Sequence, residues 1–434
     1  MQMIHNANIT KKQIGDVQST MAGPETGRMK NRLVATTDSI MFDVIVVGAG
    51  PAGATCARHL ARAGASVALL DRLKFPRDKP CGGGFSPTLL HDFPYLERRK
   101  QDFVEGVCRT GVIHSPNRRV VLQGRLDMAV ALRTEFDLVL FEEAVSAGAE
   151  PMVGRPVHHL KTGAGHTEVG LTDGRTIRGR VVIGADGVAS ICARASGLNN
   201  RWGSSQVTAC RVAEIPVSSD FLDGAFGDDR RYHFYANVGG LPGYGWAFPK
   251  SNTVNVGLGV VARRAKGLPA RFLSFTRLLM NDGLLPRSAD ISSARGALVP
   301  TGGPLSSAVT DGLLLVGDSA GMVSPLTGGG IAYAMRAARH AAVVVNRCLT
   351  QDSISRRALL EYDRAWYSDF GKNMRPMLMA QRLFTSGLTD LLFEIGRRSK
   401  TSQTLATELI SEASDRHTAS MVGVLKRLAM EYSR

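Results

Sequence analysis

The sequence predicts an α/β protein, α+β overall, built on a Rossmann-like dinucleotide-binding unit. Three observations carry that reading. The run Phe42-Asp-Val-Ile-Val-Val-Gly48 is almost continuously apolar and β-branched, as a parallel strand covered on both faces requires. It passes through Gly48-Ala-Gly50-Pro51-Ala52-Gly53 into a small-residue helix ended by Gly64, and then into a second strand, Ser66 to Asp71. Two further buried strands end in similar tight turns far along the chain: Val181-Val-Ile-Gly-Ala-Asp186-Gly187 and Leu313-Leu-Leu-Val-Gly317-Asp318.

The chain has 434 residues, enough for two or three domains. The strands and turns above divide it into a discontinuous nucleotide-binding domain, 41–200 and 296–346, ending in a helix from about Gly330 to Asn346. Between its two parts, residues 201–295 alternate apolar and polar with many Gly and Pro, and read as an inserted β-rich substrate domain. Residues 347–434 form a helical C-terminal region, with Met374 to Phe393 rich in Met, Leu and Phe. That stretch is expected either to flank a lipid tunnel or rest on a membrane surface, or to be an ordinary packed helix. Residues 1–40 are polar and aperiodic, and are expected to be a disordered extension with Met41 as the functional start.

The net charge is +15, from 53 basic and 38 acidic residues. The basic residues fall in scattered doublets such as Arg118-Arg119 and Arg356-Arg357, without a nucleic-acid-binding signature, so no nucleic-acid partner is expected. A solvated basic surface and attraction to anionic lipid or a phosphorylated substrate remain. Cysteines 56, 81, 108, 192, 210 and 348 include no C-x-x-C pair, which excludes a disulfide framework, a zinc site and an iron–sulfur cluster. A reducing cytoplasmic setting fits, and no metal is expected. No apolar run approaches the roughly 20 residues that span a bilayer, so any membrane role is expected to be peripheral, at the inner face.

Each residue of the first turn has a physical task. Gly48 permits the tight turn, and Gly50 admits a pyrophosphate to the helix N-terminus that Pro51 and Ala52 open. Gly53 allows close helix–strand packing, while Asp71, with Arg72 beside it, accepts from ribose hydroxyls. This unit alone does not separate FAD from NAD. The later turns do, because they resemble the second and third fingerprints of the flavoprotein hydroxylase superfamily. That resemblance places Asp186, Gly187, Gly317 and Asp318 on FAD, with Asp318 at the ribityl chain. Gly328-Gly329-Gly330 then opens a helix at Ile331, setting backbone N–H groups and a helix dipole where a reduced flavin is negative.

The segment Phe75-Pro-Arg-Asp-Lys79-Pro-Cys81-Gly82-Gly83-Gly84 supplies a cysteine, a basic neighbour in Lys79, and glycines suited to a loop pressed against a planar ring. The competing reading is a structural cysteine in a flexible loop. Alternation puts Tyr244, Trp246 and Phe248 on one face of a strand, either as core or as an apolar wall, with Lys250 at a polar edge and Asn255-Val-Gly-Leu-Gly following.

The pairing of Lys-Pro-Cys-Gly-Gly-Gly with Tyr-Gly-Trp-x-Phe-Pro-Lys resembles the geranylgeranyl reductase family over roughly residues 41 to 390. The resemblance implies an FAD-dependent enzyme that saturates isolated double bonds in polyprenyl chains. It implies FAD contacts at Gly53, Asp71, Cys81, Gly82, Gly84, Arg133, Asp318, Gly330 and Ile331, and a backbone contact at Val157. Arg133, in Leu132-Arg-Thr-Glu-Phe-Asp137, is expected to pair with the pyrophosphate. One departure is Asp71, where the family more often has glutamate; the carboxylate is kept.

An isolated alkene accepts hydride poorly, so the reaction needs close positioning and excluded water. Cys81, Tyr244 and Trp246 are the candidate catalytic residues, and Tyr244, Trp246, Phe248 and Lys250 the candidate substrate contacts. Cys81 and Tyr244 are candidate proton donors, with the flavin or a water as alternatives. NAD(P)H or ferredoxin is the expected reductant. The rival readings are a flavin monooxygenase or halogenase, a non-redox isomerase or cyclase, a membrane electron-transfer dehydrogenase, and a flavin-binding interaction protein. Halogenases carry Trp-x-Trp-x-Ile-Pro, which Tyr244 and Phe248 do not match, and the dehydrogenase needs a cysteine-ligated cluster. The sequence does not specify the oligomeric state.

Overall fold

The computed structural model describes residues 41–163 and 165–397. The expected extension 1–40 and the end of the helical region, 398–434, lie outside the described residues.

Strands β1 (Met41–Val47) and β2 (Val67–Asp71) flank helix α1 (Pro51–Arg62). A short strand, β3 (Gly84–Phe85), and two short helices, α2 (Thr88–Asp92) and α3 (Pro94–Arg98), lead to the hairpin β4 (Val104–His114) and β5 (Val121–Ala131). Helix α4 (Arg133–Ser146) is followed by β6 (Glu150–Val153), β7 (Val157–Thr162), β8 (Thr167–Leu171), β9 (Thr176–Gly184) and helix α5 (Ile191–Ala195). The middle segment holds β10 (Thr208–Pro216), α6 (Ser219–Phe226), β11 (Tyr232–Ala236), β12 (Gly243–Pro249), β13 (Thr253–Val261), α7 (Leu268–Asn281) and β14 (Arg295–Val299). Then come β15 (Val309–Thr310), β16 (Leu313–Leu315), α8 (Ile331–Thr350), α9 (Arg356–Trp366), α10 (Lys372–Phe384) and α11 (Thr389–Gly396).

The strands form two sheets. The first runs β15-β16-β9-β1-β2-β6, with parallel pairing from β16 to β6 and the β7–β8 hairpin joined through β9. Val44, Ile45 and Val46 of β1 are wholly buried, as expected of a strand covered on both faces. Helices α1 and α8 meet through small residues, Ala54 and Ala57 on one and Ala338 and Ala341 on the other, all without exposure. Cys56 Sγ donates to the Ala338 carbonyl across that contact at 3.4 Å.

The second sheet runs β14-β10-β13-β12-β11-β4-β5-β3 and is antiparallel except for β11 beside β4. It is wider than the segment 201–295 singled out by the sequence, because β3, β4 and β5 join it from 84–131. Side-chain alternation gives it two different faces. Val254, Val256, Leu258 and Val260 pack with Phe272, Phe275 and Leu279 of α7. The opposite face carries Cys210, Val212, Tyr232, Trp246 and Phe248.

Candidate active site

At the end of β1 the chain turns at Gly48 with φ of +98°, and a Cβ there would lie 2.4 Å from the Ala185 carbonyl oxygen, so only glycine fits. A Cβ on Gly53 would stand 1.7 Å from the Gly48 oxygen; this glycine serves packing and does not line the cavity. Gly50 differs: a Cβ there would meet only Arg77 Nη2, at 3.3 Å. Its backbone faces open space at the N-terminus of α1, which has no side-chain cap.

Asp71 ends β2 and holds this turn. Its Oδ2 accepts from Ala49 N at 3.0 Å and its Oδ1 from Leu73 N at 2.9 Å, leaving lone pairs for a further donor. Arg77, which the sequence reading did not single out, stands over Gly50. It pairs with Asp137 at 3.0 Å, and its Nε lies 3.4 Å from Asp71 without forming a hydrogen bond. Arg133, the guanidinium expected at the pyrophosphate, donates twice to Asp137 and has the Cys81 side chain within hydrogen-bonding reach. Burial opposes its charge, but Asp137 outweighs burial and holds its pKa above the ordinary arginine value. Arg77 thus stands at the Gly50 turn and Arg133 beside the thiol, and both line the cavity.

Asp318 lines the cavity close to Gly330, and its carboxylate has no protein hydrogen bond among the described residues. Gly328, Gly329, Gly330 and Ile331 line it as well, at the N-terminus of α8, which also lacks a side-chain cap. Gly317 does not reach the cavity; it separates α1 from α8, with Ala52 and Ala334 against it. Asp186 borders the cavity, but its carboxylate caps α5, accepting from Ser190 Oγ and from Ile191 N at 2.7 Å. Its role is to shape the turn at Gly187, a constraint within six residues that a family fingerprint does not distinguish from ligand binding.

Cys81 is the one half-buried cysteine of the six; the others are buried. Burial pushes the Cys108 and Cys210 thiols up to about 12. A Cβ on Gly82 would stand 2.9 Å from the Phe248 ring and 3.3 Å from Trp246 Nε1, so the glycine loop lies directly on the aromatic strand. Tyr244 donates its hydroxyl to the Thr327 carbonyl, tying β12 to the glycine loop that precedes α8. Trp246 lies over Gly257, where a Cβ would be 1.9 Å from the indole. Its N–H donates to Asn255 at 2.8 Å, which makes Trp246 a wall and not a proton source. Lys250 corrects the expectation of a polar edge. It does not line the cavity, is 3% exposed, and pairs with Glu214 at 2.9 Å beneath the Cys81 loop.

These parts bound one cavity of about 980 Å³. Pro51, Ala52, Arg72, Val157, Gly84 and Gly187 line its nucleotide end. Past the Cys81 loop the lining is mainly apolar, with Ile113, Leu126, Met128, Phe234, Val299, Phe384 and Phe393, though Asp127, Thr208, Thr301 and Gln381 also reach it. The Met-rich tail divides accordingly: Ala380, Leu383 and Phe384 face the cavity, while Met374 and Met377 are buried. The residues present fit FAD: an unfilled cradle at Gly50, Arg77 Nε lacking a hydrogen bond, two uncapped helix N-termini and the unpaired Asp318.

The family model described as lycopene cyclase protein matches residues 43–380. A digeranylgeranylglycerophospholipid reductase of Methanococcoides burtonii is 32% identical over 357 residues, covering 80% of this chain and 84% of that protein. The namesake enzyme of Methanocaldococcus jannaschii is 31% identical over 331 residues, covering 75% of this chain and 82% of the other. The chain belongs to the geranylgeranyl reductase family. Solved structures carry the fold. A geranylgeranyl bacteriochlorophyll reductase-like protein of Thermoplasma acidophilum has a TM-score of 0.76 at 22% identity, covering 91% of this chain and 97% of its own. A halogenase crystallised with FAD has a TM-score of 0.65 at 19% identity, covering 90% of this chain and 86% of its own. No helix among the described residues of this family member is long and apolar enough to cross a membrane.

Proposed function

We propose that this chain reduces carbon–carbon double bonds of a polyprenyl, geranylgeranyl-type lipid with FAD as its hydride carrier. The observation that carries this reading is the apolar continuation of the cavity beyond Cys81, walled by Phe234, Trp246, Phe248 and Phe384. Such a wall favours a hydrocarbon chain and excludes water from the reacting bond.

Gly50, Arg77, Asp71, Asp318 and the N-terminus of α8 would hold the cofactor, with Arg72, Val157, Gly82 and Gly84 along its length. Reduced FAD supplies the hydride. Trp246 and Phe248, on which the Cys81 loop rests, would wall the alkene-bearing chain together with Met128, which lies against Gly84. The Cys81 thiol, half-buried beside Arg133, is the proton donor best placed in the cavity, because the Tyr244 hydroxyl is already given to Thr327. NAD(P)H or ferredoxin serves as reductant. The exposed Met379 on α10, Leu388 in the turn before α11 and Leu391 on α11, beside exposed Arg375 and Arg382, support peripheral attachment to an anionic membrane near the apolar end.

Anaerobic incubation of dithionite-reduced protein with a digeranylgeranylglycerolipid tests the reading by mass spectrometry. The expected product is heavier by pairs of hydrogens. A product of unchanged mass favours the non-redox cyclase alternative, which the description of the matching family model keeps in view. Oxygen consumption coupled to substrate favours a monooxygenase.

A further inference from the structure

The polar cluster beneath the Cys81 loop joins Asn255, Glu214 and Lys250, none of which has a part in the mechanism above. Asn255, on β13, is 1% exposed. Its Nδ2 donates to the Cys81 carbonyl oxygen at 2.9 Å and to Glu214 Oε2 at 2.7 Å, and its Oδ1 accepts from Trp246 Nε1 at 2.8 Å. Glu214, on β10, also accepts from Lys250 Nζ at 2.9 Å and from Thr253 Oγ1 at 2.6 Å.

This pattern admits one orientation of the amide. Turned over, Asn255 would set its N–H₂ against the indole N–H and its oxygen against a carboxylate and a carbonyl. A buried polar group left unpaired is costly, so the arrangement is held tightly. Register explains the convergence: Asn255 sits opposite Glu214 in β10 and opposite Phe248 in β12, on the cavity face. Glycines at 257 and 259 on the same face leave room for the indole. One amide therefore fixes the height of the Cys81 loop over the sheet and the tilt of the Trp246 ring, two adjoining parts of the cavity wall.

We propose that Asn255 is a positioning residue that holds Cys81 and Trp246 at their working separation, with Glu214 and Lys250 locking its orientation. The turnover part of its test rests on the reductase reading; the other part does not.

The experiment compares wild type with Asn255→Ala as FAD-loaded protein. Bound FAD per chain is expected to stay the same. Alkylation of Cys81 by iodoacetamide, read by peptide mass mapping, is expected to quicken severalfold as the loop loses its anchor. In single-turnover reduction of a geranylgeranyl lipid, the limiting rate is expected to fall on the order of 10- to 100-fold with little change in the half-saturating lipid concentration, as misplacement of reacting groups does. Unchanged alkylation overturns the proposal. Faster alkylation in a protein whose wild type yields no hydrogenated product leaves the positioning role standing and removes the reductase reading.

Should Asn255→Ala fail to fold, Asn255→Asp preserves the shape and the acceptor for Trp246 while losing both donors. Protonation of the new carboxyl restores one donor. Its kcat relative to that of the wild type at the same pH is therefore expected to rise as pH falls. A parallel pH profile in the two proteins overturns the proposal.

Discussion

At the nucleotide end, polar groups reach the cavity from short turns that each follow a strand of the parallel sheet. Gly48 to Ala52, Asp71 with Arg77, and Asp318 with Gly328–Gly330 each come from one short stretch of chain. At the substrate end, the wall is gathered from strands and helices spread over residues 113 to 396, and most of its side chains are apolar. The first region works by a few hydrogen bonds and helix dipoles whose geometry a single turn can dictate. The second works by shape and excluded water, which long-range pairing must assemble. Damage to the first should cost the cofactor, and damage to the second should cost the substrate alone.

The largest effect that can break this division is Gly50→Val. The new side chain would fill the cradle over the α1 N-terminus, yet a Cβ meets only Arg77 Nη2, so the sheet need not move. We expect a purified protein with wild-type circular dichroism and no flavin absorbance. Retained flavin would mean that the pyrophosphate does not lie at this turn. Next is Trp246→Ala at the other end. Flavin content should be unchanged, while kcat/KM for a geranylgeranyl lipid falls roughly 10- to 100-fold, the effect of losing about 1.5–3 kcal/mol of apolar contact. Loss of flavin here would erase the distinction between the two ends. Smaller again is Arg77→Met, which keeps the stem over Gly50 but removes the charge. FAD Kd, measured by fluorescence titration, should rise roughly tenfold, matching about 1.5 kcal/mol for one charge-assisted hydrogen bond.

The same contrast explains what the sequence made legible. The nucleotide end was readable because strand, glycine turn and acid are consecutive, and Gly48, Gly50 and Asp71 stand where the pattern puts them. The aromatic strand was readable because period-two alternation places Tyr244, Trp246 and Phe248 on one face. Arg77 was missed although it lies four residues before Cys81, since nothing local says that a guanidinium will fold back over Gly50. Lys250 was misread as an edge because its partner, Glu214, lies on another strand. A lone carboxylate in the apolar run Val212-Ala-Glu214-Ile was the available signal. The hairpin β4–β5 escaped the β-rich segment because its parallel partner β11 follows more than a hundred residues later.

A last expected effect separates the two regions by acid. On the outer face of the second sheet, His114 Nε2 and His233 Nδ1 are 3.0 Å apart, and the His114 ring stacks on Tyr235 at 4.1 Å. Burial lowers the pKa of His114 to about 4 and that of His233 to about 3, and for His233 its neighbours His114 and Arg231 add to it. In the nucleotide half, burial with Arg58, Arg339 and Arg62 lowers His59 to about 4. Each ring is neutral when folded, so below its ordinary value near 6.5 the unfolded chain binds the proton first. Stability should be flat above about pH 7 and fall as pH drops from 6.5, by at most about 2 kcal/mol per ring at pH 5. Two coupled rings against one should make the substrate half yield first. An apolar dye should therefore bind at a higher pH than that at which flavin is released. His233→Leu should shrink the melting-temperature difference between pH 7.5 and pH 5 and bring the two acid transitions together. Flavin release that precedes dye binding in the wild type would show that the parallel sheet is the weaker half in acid.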